Sequence, residues 1–77
     1  MKISAYVFVE CSQDPAEVAR GLSKVEGVVS AHALFGPMDL IAYIEAEDLA
    51  GLDDVIARMY SIPGLKSTDT RIVRRPA

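Results

Sequence analysis

The chain says nearly the same thing twice. Val18-Ala-Arg-Gly-Leu-Ser-Lys-Val-Glu-Gly27-Val returns about forty positions later as Ile56-Ala-Arg-Met-Tyr-Ser-Ile-Pro-Gly64-Leu, with one residue fewer between the Ser and the Gly. Each copy reads as the end of a helix, a glycine stop and a new strand. A strand-like run precedes each helix. Two strand–helix–strand units give a βαββαβ chain, an order that leaves few ways to close a sheet. At 77 residues the length predicts a single domain, 1–77. Such a domain buries roughly 60–65% of its unfolded surface. Yet 51% of the residues are apolar, more than one thin core hides, so the composition predicts self-association.

Ile3 to Val9 alternates with period two. Ile3, Ala5, Val7 and Val9 share one face; Lys2, Ser4, Tyr6 and Phe8 share the other. Asp14-Pro15-Ala16-Glu17 starts a helix: Asp14 caps the first amides, Pro15 suits the first position and Glu17 completes a capping box. Its apolar stripe is Val18, Leu22 and Val25, and Gly27 ends it with positive φ. Val28 to Phe35 reads as a second strand, Gly36-Pro37-Met38-Asp39 as a tight turn, and Leu40 to Glu47 as a third strand. Asp48 caps a second helix with the stripe Leu52, Val55, Ile56 and Met59. Pro63-Gly64 breaks it, and Leu65 to Val73 is the last strand.

Right-handed crossovers place the strands in the order 4-1-3-2, with both helices on one face. The expected class is therefore α+β: a ferredoxin-like βαββαβ fold with a four-stranded antiparallel sheet. No helix remains for the second face. It displays either Ile3, Val7, Leu40 and Ile44 or Tyr6, Phe8, Ile41 and Tyr43; the pattern does not say which. Either set is an apolar patch that monomers rarely tolerate, so a second copy in a two-fold dimer is the simplest cover.

Several chemistries fit poorly. A formal charge of −3 argues against direct nucleic-acid binding, which rewards cations. The one basic cluster, Arg71, Arg74 and Arg75, reads as a solvated tail. Cys11 is the only cysteine and His32 the only histidine, too few for a zinc site. With strand three between their strands, they do not form a nucleophile–base pair. Glu45 and Glu47 read as a solvated strand end, and Asp53 and Asp54 as favouring a helix dipole. No glycine-rich nucleotide cradle occurs, and no cofactor is expected. Without a signal peptide, a disulfide or a membrane-length apolar run, a cytoplasmic setting is expected.

Two segments carry more information. In Phe35-Gly36-Pro37-Met38-Asp39-Leu40, Asp39 either bonds its own turn or offers a carboxylate to a ligand. In Ser67-Thr68-Asp69-Thr70, the Thr68 and Thr70 hydroxyls share a strand face, as ordinary strand residues or as donors. A carboxylate with hydroxyls and turn amides suits a zwitterion: Asp39 accepts from an α-ammonium, and the others donate to an α-carboxylate.

With Val28-Val-Ser-Ala-His leading to Phe35-Gly36-Pro-Met-Asp39-Leu, and Ile62-Pro-Gly64-Leu65-Lys-Ser-Thr68-Asp-Thr70 following, almost the whole chain resembles the effector-sensing (RAM) domain of the Lrp/AsnC transcriptional regulators. The helix-turn-helix domain that precedes it in full-length members is absent, so the chain looks like a stand-alone form. The resemblance implies dimers formed through sheet faces, higher assemblies up to octameric rings, and a small amino acid bound between dimers. It also implies ligand contacts at Gly36, Asp39, Thr68 and Thr70, and co-assembly with full-length relatives. Met38 departs from the aromatic residue often found before the turn aspartate, and Pro37 removes an amide. The expected function is non-enzymatic amino-acid sensing and oligomerisation. The alternatives are a dimeric ferredoxin-like isomerase or monooxygenase, using His32 and Tyr6, Tyr43 or Tyr60 in a cavity between sheet and helices, and a purely structural oligomerisation module.

Overall fold

The computed structural model describes residues 2–74, so Arg75 of the basic cluster lies outside it. Strand β1 (Ile3–Cys11), helix α1 (Pro15–Leu22), strands β2 (Val28–Ala33) and β3 (Leu40–Ala46), helix α2 (Leu49–Met59) and strand β4 (Leu65–Ile72) follow in turn. The strands form one antiparallel sheet in the order β2-β3-β1-β4. This is the ferredoxin-like βαββαβ arrangement expected from the sequence.

Local chemistry sets the helix starts. Asp14 Oδ1 accepts from Ala16 N at 3.1 Å, ahead of Pro15. Asp48 Oδ1 accepts from Gly51 N at 2.8 Å. Glu17 does not complete a capping box; it pairs with Arg20, one turn on. Helix α1 is shorter than expected: it stops at Leu22, and two tight turns carry the chain to Gly27.

The choice between the two sheet faces is now visible. Ala5, Val7 and Val9 of β1 and Leu40, Ala42 and Ile44 of β3 are buried beneath the helices. They pack with Val18 and Leu22 of α1 and Leu52, Val55 and Met59 of α2. Tyr6, Phe8, Ile41 and Tyr43 therefore form the open face. Burying them under helices would have taken two phenol groups from water, whereas the aliphatic set has no polar atom to satisfy.

The repeat is more regular in three dimensions than in the sequence. The turn hydrogen bonds after α1 are Ser23 N to Ala19 O, Lys24 N to Gly21 O, Val25 N to Leu22 O and Val28 N to Val25 O. Those after α2 are Tyr60 N to Ile56 O, Ser61 N to Arg58 O, Ile62 N to Met59 O and Leu65 N to Ile62 O. Every pair is offset by 37 residues, as are Val18 and Val55, Leu22 and Met59, and Gly27 and Gly64. Both outer strands also bulge at the same step, Val29 in β2 and Lys66 in β4. The repeat thus has no gap. The shared Ala-Arg and Ser that suggested one lie a residue out of register, because buried positions place the helices and the two arginines are exposed.

The glycines interlock the halves. Gly27 has φ 96°, and a Cβ there would lie 2.4 Å from Val55 Cγ2 on α2. Gly64 has φ 92°, and a Cβ there would lie 2.9 Å from Val18 Cγ2 on α1. Each helix thus sets its valine against the glycine that follows the other helix.

Candidate ligand site

The loop between β2 and β3 is wider than the four-residue turn read from the sequence. Strand β2 ends at Ala33, not Phe35, and Leu34 N donates to Asp39 O at 2.8 Å to close the loop. Phe35 stands fully exposed at its edge. Gly36 has φ 127°, and a Cβ there would meet no atom within 4 Å. It is a backbone position open to solvent.

Asp39 does something neither reading of the sequence proposed. Its Oδ2 accepts from Cys11 N at 2.8 Å, and its own N–H donates to Val9 O at 3.2 Å. Asp39 thus ties the loop to the end of β1, where the β1–β4 ladder slips. Burial first, then the Asp39 carboxylate, push the Cys11 thiol above its ordinary value of 9.0. A thiol held up in this way stays protonated near neutrality. Iodoacetamide at pH 8 should therefore alkylate Cys11 more slowly than a free thiol. Asp39→Asn keeps an acceptor but removes the charge, so it should lower the thiol's pKa and speed the reaction. Mass-spectrometric rates check this, and equal rates in the two proteins would clear Asp39 of the effect.

Thr68 and Thr70 share a face, as their spacing predicts. They pair with Val9 and Val7, so that face is the helix side. Thr68 Oγ1 lies 3.0 Å from the Tyr60 hydroxyl at the end of α2. Asp39 and Thr68 thus flank the end of β1 from opposite sides, Thr70 lies two residues further in, and Gly36 projects away. Three of the four residues gather at one end of the sheet, though β1 separates the carboxylate from the hydroxyls. The sequence signalled neither contact: the sheet alone brings the Cys11 amide to Asp39, and Tyr60 meets Thr68 only where the chain turns back from α2 into β4.

A hollow of about 240 Å³ lies beside this loop, lined by Pro15, Ala16, Ala33, Leu34 and Phe35, with Asp14 at its edge. A larger groove of about 380 Å³ opens at the other end of the sheet, around Lys2, Glu45, Asp54 and Arg58. It touches none of the four candidate residues.

The open face has an apolar centre and a polar rim. Tyr6 and Tyr43 pair across the central strands, ring centroids 5.0 Å apart. Phe8 pairs with Ile41 beside them, and His32 lies beyond Ile41 on β2. On β4, Asp69 binds Arg71 at 3.0 Å, Arg71 lies over the Phe8 ring at 6.0 Å, and Ser67 donates to Glu10 at 2.9 Å. The space between sheet and helices is filled by aliphatic side chains, and no polar residue is buried among the described residues. His32, Tyr6 and Tyr43 therefore do not line a cavity there, as the enzyme alternative required.

Comparison with known proteins agrees with this architecture. The family model described as Lrp/AsnC ligand binding domain matches residues 4–76. A curated relative, homocitrate synthase of Sulfolobus acidocaldarius, is 29% identical over an alignment of 73 residues that covers 92% of this chain but only 16% of the relative. Among solved structures, TTHA0845 from Thermus thermophilus superposes with a TM-score of 0.85 at 25% identity, covering 97% of this chain and 96% of that one. The transcriptional regulator NMB0573 from Neisseria meningitidis, solved as a complex with L-Met, gives 0.78 at 21% identity. There the match covers 95% of this chain and 50% of the regulator, and the likeness is one of fold.

Proposed function

Because the chain belongs to the Lrp/AsnC ligand-binding domain family, we propose that it binds a small amino acid and couples that binding to self-assembly, without chemistry of its own. In this reading residues 1–77 act as one sensing and oligomerisation domain. Two copies pair through the open sheet face, and the dimers join into larger assemblies, with an octamer as the natural closed form. The ligand sits between dimers and favours one assembly over another by its differential affinity for the two. Co-assembly with full-length Lrp/AsnC relatives would carry the signal to DNA.

The observation that carries this reading is the division of the site. Gly36 and Asp39 lie on the loop side of β1, and Thr68 and Thr70 on the other. A ligand touching all four is most simply met by the loop of one copy and the threonines of another. The L-Met complex of the Neisseria regulator supports an amino acid as the class of ligand. The partial match to a homocitrate synthase suits a sensing unit that can be attached to more than one kind of output.

Calorimetric titration with each of the twenty L-amino acids, with light scattering on the same samples, tests it. At least one should release heat and change the assembly size. Asp39→Ala should abolish that heat and leave the dimer intact. Silence from every amino acid would leave only the assembly role.

A further inference from the structure

The two halves of the molecule differ in a way the fold does not demand. Ser23 follows α1 and Tyr60 follows α2 at equivalent positions, 37 residues apart, and both backbone N–H groups close the same turn. The side chains diverge. Ser23 Oγ bonds back to Ala19 O at 2.8 Å, within its own helix. Tyr60 instead reaches off its helix to Thr68 Oγ1 at 3.0 Å. The strand partners diverge with them, because the position equivalent to Thr68 is Ala31, which has no hydroxyl. The first half closes the same helix–turn–strand unit without this contact. The Tyr60–Thr68 pair is therefore not needed to build the unit.

We infer that Tyr60 is a positioning residue of the amino-acid site, orienting the Thr68 hydroxyl toward the ligand's carboxylate; this rests on the function proposed above. A phenol is the more acidic of the two hydroxyls and the better donor. When Tyr60 donates to Thr68 Oγ1, the Thr68 proton is left free to turn outward. A carboxylate offers only acceptors, so it needs that proton. A chain of Tyr hydroxyl to Thr hydroxyl to carboxylate strengthens each link by polarisation. Tyr60 is half exposed and Thr68 half buried, so the pair sits where solvent or a ligand can reach it.

The test compares Tyr60→Phe, Thr68→Val and the double variant. The probes are the tightest-binding L-amino acid from the calorimetric panel and its decarboxylated amine. Losing one hydrogen bond to a charged acceptor weakens binding on the order of tenfold. Tyr60→Phe should weaken the amino acid roughly fivefold to tenfold and leave the amine within twofold. Thr68→Val should do the same, and the double variant should be no worse than Thr68→Val alone. Equal affinity in Tyr60→Phe, equal weakening of both probes, or additive losses would overturn the inference while leaving amino-acid sensing in place. An unmodified protein that binds none of the twenty would overturn both. Thermal melting of each variant separates these results from a loss of fold.

Discussion

Gly27→Ala should remove a large share of the domain's stability. Gly27 has φ 96°, a region costing a residue with a side chain about 1–3 kcal/mol. The new methyl group would also lie 2.4 Å from Val55 Cγ2. Forcing a buried branched side chain aside costs about another 1–3 kcal/mol. Together these come to about 2–6 kcal/mol, about half of the stability of a domain this small, about 4–12 kcal/mol at typical values per residue. Each kcal/mol moves the melting temperature of such a domain by about 4–8 °C. Circular dichroism melts should show a drop of at least about 8 °C. Gly36→Ala is the matched control. It also has a positive φ, of 127°, but an added Cβ meets nothing within 4 Å, so only the backbone cost remains. Equal losses in the two variants would remove the Val55 contact from the explanation.

Ile41→Asp should abolish self-association and leave the fold intact. Ile41 lies on the open face between Phe8 and His32, so the aspartate meets water in a single chain. In a two-fold contact both copies bring the charge into one apolar centre. Burying unpaired carboxylates there costs several kcal/mol, and about 3 kcal/mol already weakens a dimer roughly a hundredfold. Sedimentation at micromolar concentration should find dimers or larger species of the original protein and single chains of the variant. Ala42→Asp, one residue along and buried against the helices, should instead unfold the chain. An Ile41→Asp protein that sediments like the original would show that another surface makes the contact.

How much of this was legible in the sequence depends on the range of the interaction. Asp14 and Asp48 announce their helices because a cap needs only a side-chain oxygen two or three residues ahead of a free amide. Gly27 and Gly64 announce stops for a similarly local reason. Glu17 misled because a capping glutamate and a glutamate paired with Arg20 look the same in sequence. The repeat was visible, but its register was not. Exposed identities such as Arg20 and Arg58 suggest one offset, while the buried positions that place the helices share a single identity, Val18 with Val55, and otherwise only a likeness, Leu22 answering Met59. Asp39, Thr68 and Thr70 stood out by their chemistry and Gly36 through resemblance to a family, but the structural partner of Asp39 was hidden, since Asp39 lies 28 residues from the Cys11 amide it binds. No spacing rule reaches that far.

By itself the sequence determined the order of elements, their caps and stops, and the surplus of apolar side chains. Each of these follows from contacts spanning a few residues or from simple counting. The tertiary structure alone decided which sheet face the helices cover, the 37-residue register, and the partners of Asp39 and Thr68. Both faces of β1 and β3 are greasy, so period two could not choose between them. The choice turned on which side chains tolerate losing water: Val7, Leu40 and Ile44 have no polar atom to satisfy, and Tyr6 and Tyr43 do.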